Sequence, residues 1–195
     1  IPVVAQAALA HIQLMAIRPF ARANGKTAFS VIQLVFSHRG VTVDDVIPVS
    51  LPIIVSPHDF QTGSTQALLT CMSEIPSSDI LNAWLRCFAQ ACIHAAEQVT
   101  ALVSQLDMLQ QEWRRQLNVR SDSASSLLVS ALPAMPVFTV NSMSAYLDRS
   151  FKRVSTATEE LVAAGIIEQI TPGKRNRVFE CSAVVETFAR IPGFQ

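Results

Sequence analysis

The run SFKRVSTATEELVAAGIIEQITPGKRNRVFE, residues 150–180, holds two periodicities back to back. Its first half reads as a helix that stops at Gly165, because glycine readily takes the left-handed conformation in which helices end. Its second half reads as a hairpin: residues 166–170 make one strand, Pro172-Gly173 the turn, and residues 177–181 the returning strand. Upstream, FTVNSMSAYLDRS (138–150) reads as a short helix capped by Asn141 or Ser142, and SSLLVSALPAMP (125–136) as another ended by prolines. The polar, small-residue run NVRSDSASS (118–126) reads as a linker.

Three helices followed by a hairpin describe a winged helix, expected over residues 127–195 after a linker at 119–126. Such a domain can lay its third helix in the major groove of DNA while the wing touches phosphate. The residues placed to do so are Lys152, Arg153, Ser155 and Thr156 on the third helix, with Lys174, Arg175, Asn176 and Arg177 in the wing. Against this, residues 122–195 carry seven basic and seven acidic side chains, and Glu159 and Glu160 sit on the reading helix itself. Nonspecific affinity comes mostly from neutralised phosphates, so a neutral domain must concentrate its cations locally. Two readings stay open: a packing or protein-recognition module, and a reader of double-stranded DNA.

The longest helix is expected at 80–117, capped by Ser77-Ser78-Asp79. Val99, Leu102, Leu106, Leu109 and Trp113 repeat along it at alternating spacings of three and four residues. That stripe is either a face packed on its own domain or the seam of a homodimer. Before it, residues 48–57 contain three prolines and cannot form one helix, while 59–74 reads as a helix weakened by Gly63. Residues 27–38 read as a mostly buried helix ended by Gly40. The first 17 residues are apolar but carry Gln6, His11 and Gln13, which suits a core helix better than a signal peptide or membrane span.

Between those first two helices lies IRPFARANGKTAF, residues 17–29. Its Asn24-Gly25 pair is expected to form a tight turn, and its cations are Arg18, Arg22 and Lys26. A helix starting there would add unpaired N–H groups, so the joint suits an anion.

Residues 11–29 resemble the signature of the Fic family, whose members mostly transfer AMP from ATP onto a protein hydroxyl. The family pattern reads His-Pro-Phe-x-acid-Gly-Asn-Gly-Arg-x-x-Arg. Pro19, Phe20, Asn24 and Gly25 match it, as do the upstream His11, Gln13 and Ile17. The His is replaced by Arg18, the acid by Arg22, the first Gly by Ala23, the first Arg by Lys26 and the last Arg by Phe29. Residues 159–180 also resemble the winged-helix tail of many bacterial Fic proteins. The resemblance implies a truncated, mostly helical Fic-like domain over 1–118, preceded in the family by further helices and a target-positioning flap.

It also implies what has been lost. A general base must exchange protons near the working pH, and the guanidinium of Arg18 keeps its proton. Magnesium takes oxygen ligands, and Arg22 offers a positive charge where the family has a carboxylate. The expectation is therefore a degenerate site acting by regulation or interaction, with no resident metal. Its loop is either a relic kept because Phe20 and the flanking helices build the core, or a pocket for ATP or another nucleotide without magnesium, formed by Arg18, Arg22, Asn24, Gly25 and Lys26. The alternative is a divergent Fic-type enzyme moving AMP or another phosphate-containing group.

Composition sets the outer limits. Half of the 195 residues are apolar, enough for a core, and the formal charge is zero, with no global attraction to nucleic acid or acidic membrane. Cys71, Cys87, Cys92 and Cys181 lack metal-ligand spacing, which points to a reducing cytoplasm. His58-Asp59 is a loop pair with no nucleophile in view. The opening Ile-Pro suggests a fragment of a longer chain.

Overall fold

The computed structural model describes residues 1–42, 46–50, 64–69, 77–173 and 176–191. Lys174, Arg175, Cys71, the His58-Asp59 pair and most of 48–57 lie outside the described residues. So does much of 59–74, within which 64–69 are helical. The chain is mainly helical with a small antiparallel sheet, as expected, and the sheet has three strands among the described residues where the sequence showed only the hairpin pair. It divides into two compact units, Ile1–Thr100 and Ala101–Phe194. The division falls inside the long helix, upstream of the polar run at 118–126.

The first unit contains α1 (Val3–Ile17), α2 (Asn24–His38) and the first part of α3 (Ser78–Leu117). Ala7 and Ala8 are fully buried on α1, and such small side chains let neighbouring helices come close. Ile12, Ile32, Phe36, Trp84 and Phe88 fill the core, and the Trp84 indole N–H donates to the Ala8 carbonyl at 3.3 Å. α2 ends at Gly40, whose φ of 68° lets the N–H groups of Gly40 and Val41 close on the carbonyls of Ser37 and Phe36. Phe20 is 51% exposed, so this residue does not build the core as expected.

In the second unit, α4 (Ala124–Ala131) leads to β1 (Val137–Thr139), then α5 (Val140–Leu147) and α6 (Phe151–Ala163). The hairpin β2 (Glu168–Gln169) and β3 (Val178–Glu180) follows, and α7 (Ser182–Ala189) is the last described element. β3 lies between β1 and β2 and runs antiparallel to both. This is the element order of a winged helix with a further helix after the wing. Leu128, Leu132, Phe138, Met143, Val154, Leu161, Ile167 and Phe179 form its core. The stripe on α3 ends here: Trp113 is buried in that core, with Leu106 and Leu109 packed against it. That part of the stripe is a face packed on its own chain.

Three sequence readings need correction. α4 begins at Ala124 inside the expected linker, because Ser123 accepts from the Ser126 N–H and caps it. The cap of α5 is Thr139 rather than Asn141 or Ser142. Its hydroxyl accepts from the Ser142 N–H at 3.1 Å, while Ser142 Oγ accepts from the Thr139 N–H at 3.0 Å. The residues before that cap form β1, a strand hidden in what read as helix. Gly165 does end α6 as expected, with φ 70° and the paired N–H bonds to Val162 and Leu161.

His11 is buried among Phe29, Trp84 and Phe88, its ring stacked 5.9 Å from that of Trp84. Burial lowers its pKa from 6.5 to about 4, because the charged imidazolium is disfavoured away from water. Between those values the unfolded chain binds a proton that the folded chain refuses. The stability from this group is therefore full above pH 6.5 and falls as the pH drops toward 4. Urea unfolding at pH 7 and pH 4.5 will show roughly 2–3 kcal/mol more acid destabilisation in the wild type than in His11→Gln. Equal pH dependence in the two proteins would refute the assignment.

Candidate functional site

Two groups of cations were expected to do chemistry, one in each unit. In the first, α1 closes at Arg18, which takes the left-handed conformation with φ 46° and donates its N–H to the Leu14 carbonyl. Ala23 is left-handed too, at φ 63°, immediately before α2. The Asn24-Gly25 pair therefore does not form the turn; both residues are the first turn of α2. Asn24 is instead the clasp of the loop. Its Oδ1 accepts from the Phe20 N–H at 3.1 Å, and its Nδ2 donates to the Phe20 carbonyl at 2.7 Å.

This use of Asn24 explains why it is buried while Ala23 beside it is exposed and Gly25 is half-buried. Arg18, Arg22 and Lys26 all reach solvent. The start of α2 has no side-chain cap and no acid in its first turn. Positive groups at the positive end of a helix dipole are mutually unfavourable, which an anion would relieve. A Cβ placed on Gly25 would meet nothing within 4 Å, so the backbone there is open to approach. No Asp or Glu occurs between residues 17 and 29, so this loop offers no carboxylate to a hard cation.

In the second unit, Phe151, Lys152 and Arg153 open α6, all exposed, and Arg149 is exposed in the turn before it. Ser150 makes no side-chain cap bond and the first turn holds no acid. The helix's two acids are both engaged. Ser125 Oγ donates to the Glu160 carboxylate, and Glu159 lies 3.7 Å from the Arg177 guanidinium. Arg177 also sits over the Phe179 ring, 5.3 Å from its centroid, so it is braced against the sheet. Exposed Lys152, Thr156 and Glu159 recur along the helix, while Val154, Ala157 and Leu161 hold the opposite face in the core.

A cleft of about 680 Å³ flanks α6, lined by Arg120, Asp122, Ser123, Arg149, Lys152, Arg153, Thr156 and Glu160 among others. Arg120 and Arg149 escaped the sequence reading because one lay in an expected linker and the other in a turn. The signal that could have found them is their position just before a helix start. A smaller hollow of about 280 Å³ lies on the wing side, lined by Thr139, Val140, Asn141, Phe151, Asn176 and Arg177.

Neither the half-buried Cys92 nor the buried Cys181 offers a nucleophile. Burial pushes Cys92 up to about 11 and raises Cys181 as well, so both stay protonated at neutral pH. Among the described residues no three His, Cys, Asp or Glu side chains are grouped to hold a metal ion. No described helix is long and apolar enough to cross a membrane.

The left-handed Ala23 carries a measurable cost. An L-residue in that conformation is strained by about 1–2 kcal/mol, whereas glycine loses more chain entropy on folding, about 0.5–1 kcal/mol. Ala23→Gly should therefore stabilise the protein by about 0.5–1 kcal/mol, read as a higher denaturation midpoint at unchanged slope. A lower midpoint would contradict the loop geometry.

Compared with known protein families and with curated proteins, the chain matches none.

Proposed function

We propose that this chain is a non-catalytic protein of Fic-like ancestry, a cytoplasmic interaction module whose winged helix binds duplex DNA. The observation that carries the reading is the division of charge on α6. Arg149, Lys152 and Arg153 stand exposed at its start, while Glu159 and Glu160 are held by partners within the domain. The neutrality of the tail hides this division, since Glu168, Glu180 and Glu186 lie on β2, β3 and α7 rather than on the helix offered to DNA. Phosphate contacts supply nonspecific affinity, and Ser155 and Thr156 are the side chains suited to touch base edges.

The absence of catalysis is argued from residue chemistry at the loop. Arg18 cannot accept a proton, and Arg22 cannot ligate magnesium. A second reading, a metal-free anion pocket at residues 18–26, is favoured by the uncapped, cation-bearing start of α2.

Fluorescence anisotropy with mixed-sequence duplex DNA tests the partner. The dissociation constant should rise steeply with salt, and Lys152→Ala with Arg153→Ala should lower the logarithmic salt slope by about 2. Absence of binding at low salt would eliminate DNA as the partner.

Labelled ATP tests the loop. With magnesium, no adenylate should pass to the protein itself or to lysate proteins; labelled tyrosine on any client would overturn the non-catalytic reading. The pocket reading predicts that ATP or pyrophosphate raises the melting temperature without magnesium, and an unchanged curve at millimolar nucleotide ends it.

A further inference from the structure

We propose that the cleft beside α6 seats the DNA backbone, with Arg120 and Arg149 gripping phosphate outside the reading helix; this rests on the DNA-binding reading above. The cleft draws its cations from three separate segments. Arg120 follows α3, Arg149 lies between α5 and α6, and Lys152 and Arg153 belong to the first turn of α6. Lys152 and Thr156 also lie on the exposed side of α6, so the cleft continues the surface offered to DNA.

The four cations face two acids, Asp122 and Glu160. One of those acids is restrained, because the buried Ser125 hydroxyl donates to the Glu160 carboxylate. Ser125 thus acts as a positioning residue: it holds the still-charged Glu160 carboxylate toward α4. The cleft's four cations are exposed at its margins rather than enclosed, which suits an extended polyanion better than a small ligand that needs burial on most sides.

The test is anisotropy on the full chain with mixed-sequence duplexes over a salt series. Arg120→Ala should weaken binding about eightfold at 0.1 M salt and lower the salt slope by about 1, equally for all sequences. Arg149→Ala should do the same, and Arg120→Lys should retain most of the affinity. Ser125→Ala should weaken binding, and adding Glu160→Gln to it should restore binding. Circular dichroism checks that each variant is folded, and Arg149→Ala carries the test where Arg120→Ala is not. If Arg120→Ala and Arg149→Ala bind like the wild type while Lys152→Ala binds more weakly, the cleft is refuted and the DNA reading survives. If the wild type binds no duplex at low salt, both fall together.

Discussion

The stacking of Phe138 on Phe179 holds the C-terminal unit to a single register. Their rings lie 5.9 Å apart across β1 and β3, directly opposite one another. The strands are only two or three residues long, so ladder hydrogen bonds alone could not define the pairing. A slip of one residue would turn Phe179 outward and bring Glu180 toward the core, which makes the register costly to lose. Because Arg177 immediately precedes β3, the same register aims its guanidinium at the Phe179 ring and at Glu159. The wing is thereby tied to the helix proposed to read DNA through one aromatic contact in the core.

Helix ends in this chain follow two different rules. α3 begins with Asp79 and ends with Arg114 and Arg115, which complement its dipole. α4 and α5 have side-chain caps at Ser123 and Thr139. α2 and α6 have neither a cap bond nor an acid in the first turn, and instead carry Lys26 and Lys152 with Arg153. Each such mismatch costs a few tenths of a kcal/mol to about 1 kcal/mol. α1 and α7 also start without a cap bond or an acid, but only α2 and α6 place cations there, which marks those two as places where something besides folding shapes the residues.

The sequence was most readable where backbone chemistry is local. Gly40 and Gly165 ended their helices as expected, because the left-handed residue and its two bonds form within one turn. The hairpin was visible through Pro172-Gly173, but β1 was not, since a three-residue strand needs β3, whose paired residues lie 39 to 43 positions further along, to exist at all. The Asn24-Gly25 pair misled because its turn propensity was overridden. Asn24 clasps Phe20 from inside a helix, and Ala23 takes the strained conformation instead. Charge was harder still. That Glu159 and Glu160 would be engaged by Arg177 and Ser125 depends on side chains 18 and 35 residues distant.

Residues 18–26 and the cations around α6 lie in different units and bear on function through different physics. The proposed absence of catalysis rests on proton affinity and ligand chemistry at residues 18–26, where the Fic resemblance would place a base and an acid and the chain has Arg18 and Arg22. The DNA reading rests on the geometry around α6, where Arg149, Lys152 and Arg153 stand exposed at the helix start while Glu159 and Glu160 are engaged by Arg177 and Ser125. A chain with zero net charge gains no long-range steering toward nucleic acid, so the proposed DNA affinity would have to come from the few cations gathered around α6. With so few contacts, the proposed nonspecific binding would be weak, and discrimination would rest on Ser155, Thr156 and the shape of the duplex. A module of this kind works as a regulator only where its partner is concentrated or where a second site adds to its grip.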